Sequence, residues 1–167
     1  EGDHRSDYDE IVREGKGLWS YQSCMSEGCS SAIQPAHGSH SPGCNEKDLC
    51  VLGTWPSYMI DTKVTFNRVM SWINYVYDIH GELYWGTNAA DKQYMTPGNS
   101  SWKNQWLAGG NGDGSLTYPG RSNEIGGFTF IPIASLRLKA IRDGLEDLEY
   151  MYMLEALSPA GRKDVLK

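Results

Sequence analysis

The sequence predicts an α/β fold, the C-terminal portion of a (β/α)8 TIM-type barrel with about three βα units. Short apolar strand candidates alternate with helical periodicities, the order that leads to parallel pairing. Each strand candidate is followed by a long excursion, and in such barrels these βα loops build the active face; here they hold all the cysteines and several tryptophans. A full barrel takes about 250 residues, whereas this chain has 167 and shows three strand candidates.

Residues Asp7 to Gly15 read as the end of a helix, with Ile11 and Val12 apolar and Gly15 as its stop. The adjacent Asp9-Glu10 pair invites a catalytic reading; a solvated helix face fits better, because the pair precedes a strand and barrel chemistry sits after one. Gly17 to Gln22 is the first strand. The loop at residues 24–56 follows, carrying Cys24, Cys29, Cys44 and Cys50, with Trp55 at its far end and Tyr58 just beyond. An even number of cysteines in one polar loop suits two disulfides, in any of three connectivities. Zinc is the rival, with His37 and His40 between them, but C-x4-C and C-x5-C are not the tight hooks zinc sites use, so no metal is expected.

Asp61 or Thr62 is placed to cap the next helix, whose apolar Phe66, Val69, Met70, Ile73, Val76 and Tyr77 share a face, with Gly81 as its stop. Glu82 to Gly86 is the second strand. The Trp- and Gly-rich loop at residues 87–114 ends in Asn111-Gly112-Asp113-Gly114. A phosphate or calcium cradle is one reading of that end; a tight turn is preferred, since Asp113 is its one carboxylate. Ser115 to Tyr118 is the third strand. The clearest helix covers residues 135–157: Ser135 is the N-cap, and Leu138, Ile141, Leu145, Leu148 and Tyr152 recur at steps of three and four. Pro132 suits its approach and Pro159-Ala160-Gly161 marks its end. Arg137, Arg142, Glu146, Asp147 and Glu149 are spaced for a structural charge network rather than for catalysis.

A net charge of −6 without a Lys/Arg cluster argues against nucleic acid and anionic membrane surfaces as partners. No apolar run approaches the roughly 20 residues of a membrane span. Glu1 in place of an initiating Met, with no signal-like start, leads us to expect a mature or excised piece of something longer. Asn99-Ser100-Ser101 is an N-glycosylation sequon, and with the cysteines it points to a secreted, extracellular or lysosome-like protein.

Trp19, Tyr21, Trp55, Tyr84, Trp85, Trp102, Trp106 and Tyr118 cluster at strand ends or in the loops after them. Flat aromatic walls beside amides and carboxylates match the apolar faces and hydroxyl edges of sugar rings, although core packing is the plain alternative. Alternation forces a choice: if Tyr84 packs under a helix, Trp85 points into the barrel.

Two segments carry a resemblance. Asn111 to Gly120 together with Pro132 to Tyr150 resembles the C-terminal region of glycoside hydrolase family 123 and its uncharacterised relatives, and Leu83-Tyr84-Trp85-Gly86-Thr87-Asn88 is similar to that group's Tyr-Trp-x-x-Asn strand end. The resemblance implies a cofactor-free β-N-acetylgalactosaminidase (β-N-acetylhexosaminidase) that retains configuration by substrate assistance. An adjacent Asp-Glu pair does the chemistry in this family: Glu protonates the glycosidic oxygen while Asp orients the 2-acetamido group as nucleophile. That pair belongs to an earlier barrel strand and nothing here matches it, so the catalytic residues are expected outside this chain. The expected contribution is part of the sugar pocket, with Tyr21 and Trp85 stacking or touching hydroxyls, Asn88 hydrogen bonding and Tyr118 at the rim. Its partners would be a glycan and the missing N-terminal part of the barrel, continuous or cleaved. A lectin-like or structural glycoprotein that keeps the barrel, and a disulfide-rich interaction module, are the other two classes.

Overall fold

The computed structural model describes residues 5–22, 56–60, 62–89, 100–107 and 110–166. Cys24, Cys29, Cys44, Cys50 and Asn99 lie outside them, and with them the disulfide and glycosylation expectations. A short 3-10 turn (Arg5–Tyr8) runs into α1 (Asp9–Arg13), where Asp9 and Glu10 are exposed and Gly15 follows at φ +76°. Next come β1 (Trp19–Gln22), α2 (Val64–Val76) and β2 (Gly81–Tyr84). The two strands pair in parallel, Trp19 opposite Gly81 and Tyr21 opposite Leu83, which is the βαβ unit the alternation called for.

The third strand candidate pairs antiparallel, and no third parallel strand forms among the described residues. The chain instead makes two small antiparallel ribbons, β3 (Trp106–Leu107) with β4 (Gly110–Asn111) and β5 (Thr117–Gly120) with β6 (Ile131–Ala134). The turn of α3 (Ser122–Ile125) lies between β5 and β6. Pro119 faces Pro132 across the second ribbon, and proline has no N–H to offer a further strand, so this segment suits a two-stranded ribbon and not a sheet interior. The described residues thus hold a mixed α/β arrangement with two strand-then-helix units, β1 to α2 and β2 to α4 (Leu136–Leu157), rather than three. A short α5 (Arg162–Val165) ends the chain.

Both long helices keep only part of their expected faces. The residue before α2 is Lys63, in extended conformation and without a side-chain cap, while the Thr62 hydroxyl lies 2.9 Å from the Met59 carbonyl it donates to. The buried side of α2 is Asn67, Met70, Ser71, Asn74 and Tyr75, and Val76 is open to solvent. Asp78, at φ +54°, turns the chain out of the helix before Gly81 starts β2. On α4 the Ser135 hydroxyl accepts from the Leu138 N–H at 3.1 Å, the cap the sequence indicates, yet the buried residues are Arg137, Ala140 and Gly144. Leu145 and Tyr152 are exposed.

The seam between α2 and α4 explains the rotation. A Cβ on Gly144 would collide with the Arg68 carbonyl, so the glycine inside α4 lets two backbones meet, and the small residues take the buried line that larger ones would block. The Arg68 guanidinium then grips Asp147 through two bonds, of 2.6 and 2.8 Å, and the Trp72 indole N–H donates to the same carboxylate at 3.0 Å. Leu138 and Ile141 reach round to the core of Tyr58, Met70 and Leu116.

Candidate functional site

The β1–β2 sheet presents two unlike faces. Toward α2 it turns Ser20, Glu82 and Tyr84. The Ser20 hydroxyl donates to Asn74 Oδ1 at 3.3 Å, and Asn74 Nδ2 and the Tyr58 hydroxyl both donate to Glu82 Oε2, at 3.2 and 2.9 Å. Burial raises the Glu82 carboxyl above the usual range against the pull of those two bonds. Burial likewise pushes the Tyr58 hydroxyl up, with the Glu82 charge adding to it. The Tyr58 and Tyr84 rings meet edge to face at 5.1 Å. On the opposite side Trp19, Tyr21 and Leu83 are each more than half exposed.

Trp85 follows the last residue of β2 and is 37% exposed. Its indole N–H donates to Asp113 Oδ1 at 2.8 Å, and the Tyr84 hydroxyl donates to the same oxygen at 3.1 Å while accepting from the Gly114 N–H at 2.7 Å. Tyr84 thus packs on the α2 side of the sheet, and Trp85, beyond the paired residues of β2, converges with it on the same carboxylate oxygen. Asn111 to Gly114 forms a tight turn: the Ser115 N–H donates back to the Gly112 carbonyl at 3.1 Å, and Gly112 and Gly114 both have positive φ. Asp113 Oδ1 is committed to the indole and the phenol. Burial raises the Asp113 carboxyl, and the bonds from Trp85 and Tyr84 draw it part of the way back.

Arg137 fastens this turn. One terminal nitrogen donates to the Tyr58 carbonyl at 2.7 Å and the Gly112 carbonyl at 2.8 Å; the other donates to Gln105 Oε1 at 3.0 Å and to the Ser115 carbonyl. Desolvation lowers its pKa, opposed by nearby tyrosines and Asp113. The segment after Trp85 is stitched to the far side of the turn. The Thr87 carbonyl accepts from the Leu116 N–H at 2.7 Å, Asn88 bridges Ser115, and the Ala89 N–H donates to the Gly114 carbonyl at 2.9 Å.

A sequence profile described as "Glycoside hydrolase 123, catalytic domain" matches residues 47–154, well over half of the chain. The chain belongs to glycoside hydrolase family 123. No curated protein matches it. The matched span of this family 123 chain covers α2, β2, the Asp113 turn and nearly all of α4, while β1 with Tyr21 precedes it.

Of the four residues assigned to the sugar, the structure puts Tyr21 on the open face of the sheet, Trp85 just past the end of the neighbouring strand, and Asn88, exposed, three residues further on. Tyr118 stacks on Trp102 at 4.4 Å and lines a cleft of about 180 Å³ between the N-terminal ends of α2 and α4, with Thr62, Asn67 and Ser135. From the sequence Asp113 is the one carboxylate of a tight turn and Arg137 one member of a structural charge network; neither is singled out there for the site. A signal for the first was present in Gly-Asp-Gly, because two glycines free to take positive φ mark a tight turn, here the one that carries Asp113. For Arg137 the signal was its place two residues after a capping serine, where the first helical turn faces the incoming loops.

Proposed function

We propose that this family 123 chain supplies part of the sugar pocket of a secreted β-N-acetylhexosaminidase, of β-N-acetylgalactosaminidase type, that works by substrate-assisted retaining hydrolysis. Trp85 is the observation that carries the reading: a partly exposed aromatic plane just past a strand end, three residues before the exposed Asn88. Trp85 offers its ring to the apolar face of the sugar, Tyr21 and Asn88 contact hydroxyl or acetamido groups, and Tyr118 belongs to the rim. The catalytic Asp-Glu pair comes from the rest of the barrel. The one adjacent Asp-Glu here, Asp9-Glu10, sits exposed on α1 ahead of β1. The open faces of Trp19, Leu83 and Leu145 are the surfaces that the remaining strands and helices cover. Cys24, Cys29, Cys44 and Cys50 form two disulfides and Asn99 carries glycan in this secretory setting; peptide mass spectrometry of the native protein would refute either with free thiols or an unmodified Asn99.

The test is hydrolysis of aryl β-glycosides by the protein in its full natural length. The 2-acetamido substrate should be cleaved and its 2-hydroxy counterpart should not, since only the former carries the internal nucleophile. Equal rates on both remove the assisted mechanism. Trp85→Ala should raise KM about tenfold. Sugar binding without any hydrolysis would favour a non-catalytic carbohydrate-binding glycoprotein that keeps the barrel.

A further inference from the structure

We propose that Asp113 is a positioning residue that sets the plane of Trp85 for the sugar, a role that rests on the sugar-pocket reading above. Trp85 lies beyond the paired residues of β2, so the strand ladder does not fix it. Three contacts do. Its N–H is held by Asp113 Oδ1 at 2.8 Å. Its six-membered ring lies against Gly114, where an added Cβ would stand 2.7 Å from the ring Cη2, so the glycine at φ +65° is the floor under the indole. The Tyr84 hydroxyl ties both together, donating to Asp113 at 3.1 Å and accepting from Gly114 at 2.7 Å.

Asp113 is 1% exposed and cannot touch a ligand, whereas Trp85 is 37% exposed. The buried group therefore acts through the open one. The turn is itself anchored, because Arg137 holds the Gly112 carbonyl at 2.8 Å and the Ser115 carbonyl on either side of Asp113. A platform fixed in this way has no rotamers left to lose when the sugar arrives. Releasing it should weaken binding about three- to tenfold, the range expected for immobilising one side chain.

The experiment uses the protein in its full natural length, with N-acetylgalactosamine as calorimetric probe and an aryl β-N-acetylgalactosaminide for kinetics. Trp85→Phe, which keeps an aromatic plane and loses the N–H at a partly exposed position, should weaken binding by at least about threefold. Asp113→Asn keeps an acceptor oxygen for the indole and should bind as the wild type does. Asp113→Ala should match Trp85→Phe, raising KM with kcat little changed, and the double variant should be no weaker than either single one. Wild-type affinity in Trp85→Phe, additive losses in the double variant, or an Asp113→Asn variant as weak as Trp85→Phe would each overturn the positioning role while leaving the pocket in place. Unchanged affinity in Trp85→Ala would remove the sugar-pocket reading, and this inference with it. If Asp113→Ala does not fold, Trp85→Phe and Asp113→Asn alone decide.

Discussion

The side of the β1–β2 sheet that is turned toward α2 carries Ser20, Glu82 and Tyr84, each hydrogen-bonded, while the other side carries Trp19, Tyr21 and Leu83 largely in the open. Ordinary burial statistics would assign them the other way round. The difference teaches that the inner contact is partly a polar one: Asn74, on the buried side of α2, accepts from Ser20 and donates to Glu82. The apolar face is left open.

The strongest way to break the polar side is at Arg137. Arg137→Ala strips the carbonyls of Tyr58, Gly112 and Ser115 and the Gln105 amide of one shared donor, and should cost at least about 3 kcal/mol in a urea titration. Arg137→Lys should recover little of it, because a single ammonium cannot span the fork. Next comes Gly144→Ala, which drives a methyl into the Arg68 carbonyl and should cost about 1–3 kcal/mol, read from the same unfolding curve.

The apolar side yields a smaller, diagnostic effect. If Leu83 is covered in the full-length protein, Leu83→Ser should cost about 2 kcal/mol there. A neutral result would mean that the face stays in water. The smallest effect is one of pH. The folded-state pKa of Glu82 is raised by burial, so its favourable contribution is complete below the unfolded value of about 4.3 and is lost as pH rises through the raised value. Glu82→Gln should therefore gain on the wild type as pH goes from acid to neutral, measured by midpoint shifts. Asp113 is shifted in the same direction and leaves a residual slope in that variant.

Local patterns were legible where local physics decides. Ser135 caps α4, Gly15 follows the end of α1, and β1, α2 and β2 fall where alternation and periodicity put them. The faces of the helices were legible only in part: Met70, Ile73, Leu138 and Ile141 pack on the core as expected, whereas the burial line on α4 follows from the fit of Gly144 against α2, a contact between residues 76 positions apart (Arg68 to Gly144) that periodicity cannot register. The same limit hid β6. Ile131–Ala134 is a strand only because β5 lies beside it, and Pro132 argues against one on sequence alone. Within the candidate site Trp85 was visible as an aromatic at a strand end, whereas Asp113 became visible only once the turn brought it 28 positions back to the indole.

Arg137 has one more consequence, in the order of folding. Its four acceptors lie 79, 32, 25 and 22 positions earlier in the chain, so each bond closes a long loop, and each closure is paid for in chain entropy before it stabilises anything. On a ribosome, the segments at Tyr58, Gln105, Gly112 and Ser115 are all made before the residue that joins them. The turn beneath Trp85 stays unfastened until the first turn of α4 has emerged.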